Sequence, residues 1–288
     1  MLARVFAVTG AFYALGFALM VLQRRTSGTT RTTWSKYASY GLFLTTALLL
    51  ANVGGAPFVA AVLLALAVAL NEFFRAAQLG AAARIVLTAG GLAIGISALA
   101  GGASALYPVA VWIALASVAA AALARDPCSA VQSAMWGVMG LVTVAIPAAH
   151  LLLLAGRPER FALFAFLFLV VCCADAFGEL VGRLWPIGRG LLPASPAKSV
   201  AGVAGGVTAA IVMALAIHAA TGLWSERRAV LLGVAVALAA TAGDLVQSSS
   251  KRAMGIKDFG SALPDHGGVL DRFDSLFFAA LPFHWMIG

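Results

Sequence analysis

Residues 161–177 read FALFAFLFLVVCCADAF, an apolar run that meets its first charge only at Asp175. The run does not alternate polar with apolar side chains, which a barrel strand would require. Its length approaches the roughly 20 helical residues needed to cross about 30 Å of hydrocarbon. It is therefore read as a transmembrane helix. Comparable runs recur on both sides of it, at 5–22, 38–52, 56–74, 85–102, 105–124, 132–154, 199–220, 229–247 and 273–288. Several are short, so the expected fold is all-α, a polytopic integral membrane helical bundle of about 8 to 10 transmembrane helices. Composition agrees: 62% of the 288 residues are hydrophobic and 10% are charged, with a mean hydropathy of +0.99, more apolar surface than a soluble domain of this size hides. Segment 5–22 lacks a convincing cleavage site and is followed by Arg24 and Arg25, which favours a retained helix over a signal peptide. The chain is expected to divide into N-terminal transmembrane helices, 1–160, and a C-terminal transmembrane region, 161–288, that carries the polar segments.

Lys and Arg in short loops resist translocation and set orientation. Arg24, Arg25, Arg31 and Lys36 follow the first span, Arg75 and Arg84 the third, Arg183, Arg189 and Lys198 the seventh, and Lys251, Arg252 and Lys257 the ninth. All of these fall on one side, expected to be cytoplasmic, whereas Arg157, Arg160, Arg227 and Arg228 fall on the other. The formal net charge of +8 is mostly this topological bias. Cys128, Cys172 and Cys173 show no metal-ligand spacing and read as membrane-core residues.

Against this background, residues 248–274 stand out: SSSKRAMGIKDFGSALPDHGGVLDRFD. Asp244, Asp258, Asp265, Asp271 and Asp274 crowd into or beside this segment although the whole chain has only 11 acidic residues. Charges at membrane depth are costly and normally mark a functional site. If the ninth span stays helical past its end, Asp244, Ser248 and Lys251 lie on one face, as do Asp271 and Asp274 on the next helix. Carboxylates from two helices, without a cysteine cluster, suit a hard cation such as Mg²⁺. Interleaved Lys and Arg suit phosphate oxygens. Gly267 and Gly268 permit a sharp turn or a close backbone approach. His266 could orient or protonate a phosphate oxygen. The competing reading is a solvated loop of structural ion pairs. A second polar segment, 175–202, places Asp175 and Glu179 on one helical face and Ser195, Lys198 and Ser199 just before the next span. No phosphate-binding loop, Rossmann fingerprint, nucleophile elbow or HExxH motif is present, so the chemistry is sought in these two segments.

The segment resembles the signature of the phosphatidate cytidylyltransferases, or CDP-diacylglycerol synthases. Ser248, Lys251, Arg252, Lys257, Asp258, Gly260, Leu263, Pro264, His266, Gly267, Gly268, Asp271, Arg272 and Asp274 match it at fixed spacing, and Gly243, Asp244 and Leu245 match the motif that precedes it. Upstream, Asp175, Ser195, Pro196, Lys198 and Ser199 are similar to the family's aspartate helix and Ser-Pro-x-Lys element. The strong match covers the C-terminal portion of the chain. Ser250, Asp265, Val200 and Ala201 depart from the pattern; the last two bear on substrate preference.

The resemblance implies a nucleotidyltransferase of phospholipid synthesis that moves CMP from CTP to phosphatidate. It implies Mg²⁺ held by Asp244 and Asp271 with Asp274, and with Asp258 assisting directly or through water; a second cation is left open. Lys251, Arg252 and Lys257 would bind the triphosphate, His266 would steady the departing pyrophosphate, and Arg272 belongs to the same catalytic set. Asp175, Ser195, Lys198, Ser199, Ser248, Gly267 and Gly268 would bind substrate. Expected partners are CTP, phosphatidate and membrane lipid, with no nucleic acid; a homodimer is left open. The expected location is the bacterial inner membrane, with the site facing the cytoplasm. The alternatives are a CTP-dependent transferase or kinase acting on another lipid phosphate or lipid alcohol, and a cation-coupled transporter.

Overall fold

A computed structural model describes residues 1–27, 32–123, 126–190, 195–260 and 267–288. Among the described residues there is no β-strand, and helices occupy every expected span. They are α1 (Leu2–Ser27), α2 (Thr32–Val53), α3 (Gly55–Ala76), α4 (Ala81–Ala122), α5 (Pro127–Gly140), α6 (Ile146–Ala155), α7 (Arg160–Leu184), α8 (Val200–Thr221), α9 (Glu226–Ala253) and α10 (Leu270–Ile287). Six helical stretches are long and apolar enough to cross a membrane, α5 and α6 counting as one. The molecule is a polytopic membrane helical bundle.

The expected pair 85–102 and 105–124 appears as α4 folded on itself. Gly102 has φ 66° and ψ −155°, a combination open to glycine but not to residues carrying a Cβ. The chain reverses there, so that Ile113 packs beside Gly90. The expected span 132–154 is likewise one membrane crossing in three pieces, α5, a π-helical turn Leu141–Ala145 and α6. Pro147 is the second residue beyond that turn; its ring crowds the carbonyl four residues back and it donates no hydrogen bond, which favours the wider turn.

Successive crossings alternate in direction, which gives the bundle two distinct ends. At one end Arg157 donates from Nη2 to the carbonyl of Gly288 at 2.6 Å, and Arg228 donates to the carbonyl of Met286 at 2.9 Å. The indole of Trp285 donates to the Tyr107 hydroxyl at 3.0 Å at the same end. The far ends of α3, α7, α9 and α10 meet at the other, where all the polar motifs lie.

The stretch 161–177 turns out to be the central helix: from Phe161 to Val171 every residue of α7 is buried. Its closest partner is α8. The approach is set by small residues, because a Cβ on Gly206 would sit 2.6 Å from the carbonyl oxygen of Ala174, and one on Gly202 would sit 2.7 Å from that of Gly178. Such small-residue seams let backbones touch where lipid supplies no hydrophobic drive between helices. Gly206→Val should therefore part α7 from α8 and destabilise the protein by about 1–3 kcal/mol. An unaltered thermal unfolding midpoint in detergent would show that the seam is not close-packed.

Candidate active site

The polar ends of four helices open onto one cavity of about 760 Å³. From α7 come Asp175 and Glu179, and the chain entering α8 adds Lys198 and Ser199. Helix α9 contributes Asp244 and Lys251, and α10 contributes Asp271, Arg272, Asp274 and Ser275. Helices α1 and α2 add aromatic and apolar lining, Phe12 and Tyr13 from α1 and Tyr40, Phe43 and Leu44 from α2. Side chains N-terminal to residue 160 thus share in the cavity.

Helix α9 continues to Ala253, so Asp244, Ser248 and Lys251 do share a face. Lys198 Nζ lies 2.6 Å from Asp244 Oδ2, and the Ser248 hydroxyl donates to Asp244 Oδ1 at 3.4 Å. Lys251 Nζ lies 2.8 Å from Asp271 Oδ1, with only 13% and 6% of the two side chains exposed. Asp271 Oδ2 accepts the backbone N–H groups of Phe259 at 2.9 Å and Gly268 at 3.0 Å. One carboxylate therefore gathers the end of α9, the loop beyond it and the start of α10. Asp274 is buried, and its Oδ1 accepts the N–H of Ser275 at 2.7 Å. Asp175, Asp244 and Asp274 lie near enough to repel one another, and Lys198 and Lys251 offset that repulsion.

Ser199 lines the cavity but is buried and caps α8, its hydroxyl accepting the N–H of Gly202 at 3.0 Å, a structural use of the side chain. Ser195, Ser248, Gly267 and Gly268 do not line the cavity, and neither do Arg252, Lys257 and Asp258, whose side chains are exposed. Gly267 and Gly268 do form the close turn expected of them, with φ 79° at Gly267 and the Gly268 N–H on Asp271. His266 lies outside the described residues, together with Leu263, Pro264 and Asp265. Cys172 lines the cavity, Cys173 is buried and Cys128 is exposed on the surface of the bundle.

Two residues of consequence escaped the sequence reading. Glu72 on α3 is buried, and its carboxylate accepts the N–H groups of Val269 at 3.1 Å and Leu270 at 2.8 Å. It caps α10, whose own N-cap position, Val269, has no capping side chain. The available signal was a carboxylate inside the apolar run 56–74, where a charge is a functional or structural marker by default. Tyr40 is the other: its hydroxyl accepts from Arg272 Nη1 at 2.6 Å, and the guanidinium lies 5.8 Å from the ring centre.

Carboxylate and hydroxyl oxygens outnumber the one thiol, that of Cys172, among the donors lining the cleft, a set that suits a hard divalent cation. Among the described residues no three Asp, Glu, His or Cys side chains are gathered into one metal-binding group. Asp244 and Asp271 instead each hold a lysine.

The sequence profile of the Cytidylyltransferase family matches residues 34–288. The phosphatidate cytidylyltransferase of Staphylococcus epidermidis strain RP62A is 39% identical over 124 residues, covering 41% of this chain and 45% of that protein. That of Staphylococcus saprophyticus is 37% identical over 132 residues, covering 42% of this chain and 47% of that protein. That of Staphylococcus aureus strain COL is 37% identical over 134 residues, with the same coverage of 42% and 47%. The chain spans about half the length of the curated relatives it matches.

Proposed function

The chain belongs to the Cytidylyltransferase family, and from that premise we propose that it transfers CMP from CTP to phosphatidate, yielding CDP-diacylglycerol and pyrophosphate. The observation that carries this reading is one cleft that brings carboxylates and cations of α7–α10 together with aromatic and apolar side chains, among them Phe12, Phe43 and Leu44 of α1 and α2. A nucleotide triphosphate needs the first kind of lining and a diacyl lipid needs the second. Only a site at the end of the spans lets both arrive.

In the reaction an oxygen of the lipid phosphate attacks the α-phosphorus of CTP. The bond from that phosphorus to the bridging oxygen breaks, and pyrophosphate leaves with the electron pair. No covalent enzyme intermediate is required. Lys198, Lys251 and Arg272 draw the anionic groups into the cleft and hold their oxygens by charge-assisted hydrogen bonds. The ring of Tyr40 and its hydroxyl fix the plane of the Arg272 guanidinium. Asp271 positions Lys251 while holding the loop at Phe259 and Gly268. Oxygen donors of this kind suit Mg²⁺; Asp244 and Asp271, each now holding a lysine, would hold it with Asp274 once drawn together, and when bound it would neutralise charge on the reacting phosphates. The Lys and Arg bias described above supports a cytoplasmic orientation of the cleft, where CTP is available. A cysteine introduced by Lys257→Cys should then react with an impermeant thiol reagent only from the cytoplasmic face.

The deciding test uses purified protein, Mg²⁺ and phosphatidate with CTP labelled at either the α- or the γ-phosphate. α-Label in the lipid, with pyrophosphate released, is the expected result; γ-label in the lipid would make the protein a kinase and overturn the proposal. Withdrawing divalent cations with a chelator should stop transfer, and returning Mg²⁺ should restore it. Lys198→Ala should raise the KM of at least one substrate about tenfold or more, the scale of one hydrogen bond to a charged group. Unmoved kinetics for both substrates would remove Lys198 from the site.

A further inference from the structure

We propose that an apolar crevice descending from the cleft between α2, α3, α7 and α10 receives one acyl chain of the lipid phosphate acceptor, so that this chain lies inside the protein during transfer. The proposal rests on the reading of the acceptor as a diacyl lipid phosphate. The crevice has a volume of about 120 Å³, room for a few methylene groups, and Phe43 and Leu276 line both it and the catalytic cleft. The two cavities are therefore neighbours through a shared wall. Beyond Phe43 the lining includes Thr46, Ala47, Leu50, Phe58, Ala65 and Phe164, and among the described residues no charged side chain faces it. From Phe43 to Leu50 the crevice follows α2 for about 10 Å at the rise of a helix, away from the polar end and toward the end marked by Arg157 and Arg228. That is the direction an acyl chain takes when its phosphate sits among Lys198, Lys251 and Arg272.

Rigid walls keep the space open. Phe43 packs edge-on against Phe168 at 5.7 Å and Phe273 at 5.4 Å between ring centres, and Phe58 packs against Phe164 at 5.1 Å. A chain moving from bilayer into this crevice exchanges one apolar surrounding for another, so burial itself supplies little drive. The gain is positional: a chain held at fixed depth fixes the headgroup relative to the carboxylates. Close-packed aromatic walls also discriminate by length and shape.

The test compares a dioleoyl acceptor with a dihexanoyl acceptor too short to fill the crevice. In Ala65→Phe, which fills it, the kcat/KM ratio of long to short acceptor should fall about tenfold, the scale of steric selection in an apolar pocket. In Leu64→Phe, one position away and 67% exposed on the outer surface, the ratio should stay that of the wild-type protein. An unchanged ratio in Ala65→Phe, or an equal fall in both variants, overturns the proposal. Absence of CMP transfer to either acceptor in the wild-type protein would sink the assigned reaction instead, a distinguishable result. A second measurement needs no variant: a lipid phosphate with a photoreactive group near the end of one chain should cross-link within residues 43–65, and excess unlabelled lipid phosphate should suppress that product. Cross-links confined to outward positions such as Trp112 and Leu115, or indifferent to competitor, would mean surrounding lipid only and would also overturn it.

Discussion

Asp271→Asn protein is expected to lose CMP transfer by about 10²- to 10³-fold, the scale on which one preorganised electrostatic group contributes. The side chain keeps its size, so the loss isolates charge and hydrogen-bonding pattern. The single amide oxygen can face the N–H groups of Phe259 and Gly268, but the amide NH₂ then points at the Lys251 ammonium, donor against donor. Lys251 is left nearly buried without its counter-charge, a situation that costs about 3–5 kcal/mol when one partner of a buried pair is removed. Stability and activity would fall together, and a second substitution separates them. In the double variant Asp271→Asn with Lys251→Met the uncompensated charge is gone, so the unfolding midpoint should recover while transfer stays well below that of Lys251→Met alone, which lacks only the cation. Recovery of transfer along with stability would show that Asp271 serves only the fold, and near-normal turnover in the folded single variant would remove it from the chemistry altogether.

Glu72→Gln is expected to have the second largest effect, at a position that touches none of the substrate-facing groups. Its carboxylate caps the two N–H groups that open α10, and Gly260 and Gly268 pack directly on it. A glutamine offers one acceptor and turns its NH₂ toward the second N–H, leaving a buried donor unsatisfied at about 1–3 kcal/mol. Asp271 and Asp274 lie in the first two turns of α10, so loosening its start displaces both. A lower unfolding midpoint together with a reduced kcat is the expected pairing. Arg75→Gln, exposed one turn later on the same helix, is the control and should stay within about 0.5 kcal/mol of wild type. A Glu72→Gln protein as stable and as active as that control would refute the capping role.

The helices were legible because a membrane crossing is a local property. Hydrocarbon demands about 20 apolar residues with their backbone satisfied inside the segment, so the runs 5–22 through 273–288 announced themselves, and even the reversal at Gly102 was anticipated by splitting 85–102 from 105–124. The shared face of Asp244, Ser248 and Lys251 was legible for the same reason, since helical periodicity is local. The Asp244–Lys198 and Asp271–Lys251 pairs were not, because oppositely charged partners on different elements can combine in many ways. Ser199 shows the converse, a residue placed in the right neighbourhood whose hydroxyl is engaged as a helix cap. Glu72 and Tyr40 escaped because their partners, Leu270 and Arg272, lie about two hundred residues further along the chain.

Taken alone, the order of residues determined that this protein is a bundle of membrane helices with its charged motifs at one end, since apolar length and charge placement are read residue by residue. Only the tertiary structure decided that α7 is the central helix and which side chains share a cavity. An apolar helix looks the same whether lipid or protein surrounds it, and the small-residue seam between α7 and α8, the cap from Glu72 and the crevice below Phe43 exist only where distant segments meet.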